Sequence, residues 1–138
     1  MVEEIPARQP HYNAHPSGVE CIELCQYFGF NLGSAFKYLW RWRDKDSMLM
    51  DLEKAQVYLG FELRRRKANI KTCEKEPPWD AFVLAYDRWD AAEPISRIKL
   101  VMADIVMCAF KPNFIGLEVC QFTLQTEIDQ VRKAMLAK

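Results

Sequence analysis

The stretch Ser47-Met48-Leu49-Met50-Asp51-Leu52-Glu53-Lys54-Ala55-Gln56-Val57-Tyr58-Leu59-Gly60-Phe61-Glu62-Leu63-Arg64-Arg65-Arg66-Lys67 decides the fold class of this chain. Leu49, Leu52, Ala55, Leu59 and Leu63 recur at three- and four-residue spacing, which is the period of one helical face and not of a strand. Ser47 suits the cap, so a helix is expected from about Met48 to about Lys67. Upstream, Arg43-Asp44-Lys45-Asp46 reads as a turn. Before it, Leu32, Ala35, Phe36, Leu39 and Trp40 share a face of a helix capped by Asn31. The two helices form a hairpin. Ser17-Gly18-Val19-Glu20 has the capping-box pattern, opening a shorter helix with Val19, Ile22, Cys25 (or Gln26) and Phe28 inward that stops at Gly29. Residues 1–16, with three prolines, two histidines and no periodicity, read as an extended arm.

Downstream, 69–78 reads as a polar linker. Pro77-Pro78 suits the start of a fourth helix with an apolar stripe of Trp79, Phe82, Val83, Tyr86 and Trp89. Pro94 is expected to open a fifth, with Ile95, Ile98, Met102, Ile105 and Ala109 aligned and Asp104 as a hydrogen-bonding group at a helix interface. Lys111-Pro112-Asn113 breaks it. A last helix covers Leu117 to Ala137, although periodicity alone leaves Val119–Leu124 open to a short strand. The expected fold is all-α: two three-helix blocks, 1–68 and 69–138, around a helical hairpin, with an extended N-terminal arm.

The chain has 138 residues, half of them hydrophobic, which is enough for a sizeable core in one domain or two very small ones. Nineteen Lys and Arg balance nineteen Asp and Glu, so non-specific nucleic-acid binding is disfavoured. The apolar run Leu100 to Phe110 contains Asp104 and is too short to span a bilayer. The N-terminus lacks the basic and apolar regions of a signal peptide. Five cysteines without framework spacing suit reduced thiols in a cytoplasm. Cys21 and Cys25 are expected to be free core thiols. His11 and His15 are four apart, but Pro10 and Pro16 argue against a helix that would align them, and no metal site is expected. Walker A, dinucleotide-binding and nucleophile-elbow motifs are absent.

The informative stretch is Lys37-Tyr38-Leu39-Trp40-Arg41-Trp42-Arg43-Asp44-Lys45. Lys37 and Arg41 are one turn apart on the face opposite the apolar stripe, flanked by Tyr38 and Trp42. Residues 36–67 hold nine basic and five acidic side chains, an excess of four in a neutral chain. Guanidinium, ammonium and aromatic faces together match a phosphate and a nucleobase. A solvated basic face over core aromatics is the plainer reading of the same residues. Gly33 permits close approach to a backbone or a ligand. Asp51 and Lys54, three apart, are expected to face Arg41 across the hairpin, where an ordered ion-pair network is the alternative to a binding site.

His11-Tyr12-Asn13, Pro16-Ser17-Gly18-Val19-Glu20-Cys21-Ile22-Glu23, Asn31-Leu32-Gly33-Ser34-Ala35-Phe36-Lys37-Tyr38, Arg41, Lys45 and Asp51-Leu52-Glu53-Lys54-Ala55-Gln56-Val57-Tyr58-Leu59 together resemble a small phage-encoded family. That family, long of unknown function, includes the nucleoside monophosphate kinase of a short-tailed coliphage, which has no Walker A loop. The resemblance covers residues 11 to about 63. It implies a nucleotide-binding set of His11, Tyr12, Glu20, Asn31, Lys37, Tyr38, Arg41, Lys45, Asp51 and Lys54, with Lys37 and Arg41 as the catalytic pair. It also implies Mg2+ if the chain is a kinase, a tendency to form homo-oligomers, and the cytoplasm of an infected bacterial cell as the setting. Arg43 departs from the family, which has glycine in that turn.

Two functions share nucleotide binding. One is a nucleoside monophosphate kinase-like phosphotransferase; the other is a non-catalytic sponge that sequesters a nucleotide or a nucleotide-derived immune signal as an anti-defence protein. A third is a purely structural oligomer anchored on Trp40 and Trp42. The homo-oligomer is expected to form through Trp79, Phe82, Tyr86 and Trp89, and no membrane partner is expected. Loss of Arg41 is expected to weaken nucleotide binding by about 2–3 kcal/mol while changing stability little.

Overall fold

The computed structural model describes residues 15–43, 47–71, 76–111 and 114–137. His11, Tyr12, Lys45 and most of the arm lie outside the described residues. All regular structure among the described residues is helical: α1 (Cys21–Cys25), α2 (Gly29–Trp40), α3 (Met48–Lys67), α4 (Trp79–Ala92), α5 (Arg97–Ala109) and α6 (Ile115–Leu136). Val119–Leu124 is therefore helix, inside α6.

The α2–α3 hairpin is the most extensive packing in the molecule, followed by α5 on α6 and α3 on α6. Leu52, Ala55 and Leu59 of α3 are buried as their spacing predicts, against Leu32, Ala35, Phe36 and Leu39 of α2. The neighbouring face of α3 meets α6 in antiparallel sense. Gln56 Nε2 donates to the Gln121 carbonyl (2.8 Å) and to Gln125 (3.2 Å), and Arg132 reaches back to Glu53 (2.7 Å). α3 ends through a backbone reversal at Asn69, whose φ of 56° is the left-handed cap that asparagine tolerates.

One core joins the two halves of the chain. Phe28 contacts Phe36, Phe82 and Phe110 edge-on at ring separations of 5.3, 6.1 and 6.0 Å, and Trp89 lies 5.9 Å from Phe36. Trp89 is wholly buried and Phe82 nearly so. These two side chains, expected at an oligomer interface, are spent inside the protomer, where each contributes about 1.5–3 kcal/mol through burial. Trp40 is likewise a core residue and not an interface anchor. Of the expected contact set, Trp79 is exposed and Tyr86 half-buried.

Several element starts differ from the sequence reading for identifiable reasons. The capping box belongs to Glu20 and Glu23, so α1 begins at Cys21; Glu23 accepts the Glu20 N–H at 2.6 Å. Ser17 Oγ instead accepts the Val19 N–H at 3.0 Å in a local turn. α2 begins at Gly29, whose φ of 79° reverses the chain after α1, so Asn31 lies within the first turn instead of capping it. α5 begins three residues beyond Pro94, because Ser96 Oγ accepts the Lys99 N–H at 3.0 Å; Ile95 is left 92% exposed, outside the core stripe. Asp104 makes no hydrogen bond or ion pair among the described residues, and partial burial raises its carboxyl pKa.

Gly33 is buried where α2 crosses α1. A Cβ there would stand 3.0 Å from the Cys25 carbonyl oxygen, so the close approach is to backbone. Alanine would gain about 1 kcal/mol of helix propensity and meet an overpacking cost of about 1–3 kcal/mol. Gly33→Ala is accordingly expected to destabilise by about 1 kcal/mol in urea unfolding. A gain in stability would show that α1 yields freely.

Candidate functional site

The hairpin carries its chemistry on the edge where the end of α2 faces the start of α3. Tyr38, two residues before the end of α2, projects a half-buried ring between the helices. Three cations converge on it: Arg41 Cζ lies 5.0 Å from the ring centroid, Lys54 Nζ 5.4 Å and Lys37 Nζ 5.9 Å. Tyr58 of α3 stacks on the same ring at 5.9 Å with an interplanar angle of 16°. Phe30 and Phe61, both exposed, pack edge-on against Tyr58 at 5.7 Å each and extend the aromatic surface beside the ring pair.

Asp51 sits in the first turn of α3 and is 1% exposed. Its Oδ1 is 3.5 Å from Arg41 Nη2, so the ion pair across the hairpin is formed. Oδ2 is buried and has no hydrogen-bond partner among the described residues. Glu53, the next carboxylate along α3, turns away to Arg132. Lys37 and Lys54 are exposed and make no ion pair among the described residues. Each cation gains about 0.5–1 kcal/mol from the ring's negative face, while their mutual proximity costs Coulomb energy. An anion bound between them would relieve that repulsion.

Five residues of the sequence-derived set thus meet in space: Lys37, Tyr38, Arg41, Asp51 and Lys54. Asn31 does not join them. Its amide donates to Glu62 Oε1 at 3.2 Å, on the far end of the hairpin. Glu20 serves as the cap residue of α1. Trp42 is half-buried under Arg43, whose guanidinium lies 5.1 Å from the indole centroid.

Two further clusters brace the hairpin. Glu62, 3% exposed, takes Arg65 Nε at 2.9 Å, Arg66 Nε at 2.7 Å, a second contact from Arg65 and the Asn31 amide. Burial opposes ionisation of Glu62, but the hydrogen bonds from Arg65, Arg66 and Asn31 prevail and hold its carboxyl below the usual range. Arg66 also donates to the Cys108 and Lys111 carbonyls at 2.8 and 2.7 Å, capping the end of α5. At the opposite end, Glu93 bridges His15 Nε2 (3.3 Å) and Arg43 Nη1 (3.1 Å). His15 contacts Ser17 Oγ at 2.6 Å and lies on Trp40 with ring centroids 4.8 Å apart. The Glu93 bridge fixes both the root of the arm and the turn beyond α2.

Tyr58, Glu62, His15 and Glu93 were not singled out as site residues by sequence reasoning. Tyr58 lies four residues after Lys54 and seven after Asp51, so helical spacing placed it on the site's side of α3. Glu93 lies fifty residues from Arg43, and no local pattern connects them.

Magnesium fits this residue set poorly. Among the described residues no three His, Cys, Asp or Glu side chains gather as a cation site. The one carboxylate at the ring, Asp51, is buried and committed to Arg41.

No curated protein and no solved structure matches the chain. Residues 7–60, which include α1, α2 and α3 as far as Gly60, match the model of a family described as a protein of unknown function (DUF3310), and over that segment the chain is similar to its members.

Proposed function

We propose that the α2–α3 edge binds a nucleotide, with phosphate held by Lys37, Lys54 and Arg41 and the base near the Tyr38–Tyr58 ring pair. The observation that carries this reading is the convergence of three cations on one tyrosine ring, two of them without an ion-pair partner among the described residues. The resemblance to the phage family attaches an activity to that site: phosphoryl transfer to a nucleoside monophosphate. Such transfer depends on positioning and charge neutralisation, which a Lys/Arg cluster supplies without a P-loop. In this reading any magnesium arrives on the phosphates of the nucleotide.

Lys37→Ala and Lys54→Ala test the site cleanly, because both side chains are exposed and their loss opens no cavity. Each is expected to weaken binding of deoxynucleoside mono- or triphosphates by about 1.5–3 kcal/mol in titration calorimetry, with unfolding unchanged. Incubation with magnesium, ATP and each deoxynucleoside monophosphate then separates the two functions. Diphosphate formation abolished by Lys37→Ala supports the kinase. Tight binding of a nucleotide recovered unaltered on denaturation supports the sponge. Failure to bind any nucleotide overturns both.

A further inference from the structure

α1 carries two thiols that the nucleotide reading leaves unused. Cys21 and Cys25 are one turn apart on the same helical face, and Cys21 Sγ donates to Cys25 Sγ across 3.8 Å. Cys21 is buried, while Cys25 is part-exposed. The hydrogen bond from Cys21 and, beyond it, the Lys37 ammonium hold the Cys25 thiol below its ordinary range, whereas burial pushes Cys21 up. The pair therefore joins a part-exposed cysteine, as the attacking group, to a buried, protonated partner in contact behind it.

A second pair supplies an internal comparison. Cys108 and Cys120 are 5% and 0% exposed in the α5–α6 interface. The hydrogen bond from Cys120 brings the Cys108 thiol down to about 7, so this pair has thiolate character but little access. Reactivity toward a dissolved oxidant requires both.

We propose that Cys21 and Cys25 form an oxidative modification site, which a small hydroperoxide converts to an intrahelical disulfide. The Cys25 thiolate attacks one peroxide oxygen and the O–O bond breaks. Hydroxide leaves and is protonated to water, and Cys25 becomes a sulfenic acid. The Cys21 sulfur then displaces the sulfenic hydroxyl, its own proton passing to solvent, and a second water departs. Two thiols lose two electrons in all and one hydrogen peroxide becomes two waters. The sulfurs must close from 3.8 Å to about 2 Å. α1 is a single turn of five residues, so few helical hydrogen bonds resist that closure. Movement of Cys25 bears directly on α2, because its carbonyl lies against Gly33 one turn before Lys37. The oxidation chemistry is independent of whether the α2–α3 edge binds a nucleotide.

The test treats the full-length protein with hydrogen peroxide, alkylates it under denaturing conditions, digests it with trypsin and weighs the peptides. The peptide from Gln9 to Lys37 is expected to lose two hydrogens and resist alkylation, reversibly with dithiothreitol. The peptide from Leu100 to Arg132 is expected to oxidise at least about tenfold more slowly, for want of access. Cys21→Ser is expected to stop at a Cys25 sulfenic acid captured by dimedone, and Cys25→Ser to leave Cys21 alkylatable. The proposal is overturned if wild-type Cys25 passes to the sulfinic acid while Cys21 remains alkylatable. It is overturned equally if Cys108 and Cys120 oxidise first, or if Cys21→Ser gives no dimedone adduct at Cys25.

Discussion

Glu62→Ala is expected to cost about 3–5 kcal/mol of folding stability, because it breaks a buried ion-pair network. The carboxylate is 3% exposed and holds Arg65, Arg66 and Asn31 together. Its removal leaves two guanidinium groups, 17% and 8% exposed, close together without the charge that joins them. It also loosens Arg66, the clamp on the carbonyls that end α5. Acid should reproduce part of the effect. The folded-state pKa of Glu62 is depressed, so its contribution is present above the unfolded-state value and is lost as pH falls through the lower folded one. Urea unfolding from pH 7 downward should therefore show a loss of stability below the ordinary glutamate range, with a flatter acid limb in Glu62→Gln. A Glu62→Ala protein within about 0.5 kcal/mol of wild type would mean that the arginines are held by their carbonyl contacts alone.

Arg41→Ala is expected to lower both nucleotide affinity and stability, and the second effect is the larger departure from the sequence reading. Asp51 is almost wholly buried, and Arg41 is the cation that faces it across the hairpin. Truncating the arginine leaves a buried carboxylate uncompensated, at a cost of about 3 kcal/mol. The double variant Arg41→Ala/Asp51→Ala removes both charges and should recover part of that loss, giving a coupling of at least about 1 kcal/mol. Binding is the separate measurement. The double variant should still bind nucleotide more weakly than wild type, since the guanidinium is gone. Strictly additive effects on stability, each below about 0.5 kcal/mol, would place Arg41 wholly outside the fold's energetics.

The helices were legible because their apolar residues keep helical period over long runs. Leu52, Ala55 and Leu59 in α3, and Ile98, Met102 and Ile105 in α5, are buried as their spacing requires. Starts were less legible because caps compete locally. Ser17 and Glu20 both offered side-chain oxygens, and the reciprocal pair formed at Glu20 and Glu23. Pro94 suits a first helical turn, but Ser96 supplies the cap. The juxtaposition of Lys37, Tyr38, Arg41, Asp51 and Lys54 was readable because a tight hairpin brings two nearby helical faces into register. Asn31 was misplaced for the opposite reason: it stands at the other end of the same hairpin, and Glu62 claims its amide. The intramolecular roles of Phe82 and Trp89 depend on Phe28 and Phe36, more than forty residues away in sequence, which no local period reveals.

The two faces of α3 rest on different parts of the chain. The side toward α2 lies in the segment shared with a wider family, whereas the side toward α6 relies on Gln121 and Gln125, beyond the matched residues. Arg66 similarly depends on carbonyls at Cys108 and Lys111. A fragment that ended with α3 would leave Gln56 without the Gln121 and Gln125 acceptors, and Arg66 would keep Glu62 but lose the carbonyls at the end of α5. The C-terminal helices thus act as a built-in cover for the face of the hairpin that α2 leaves open.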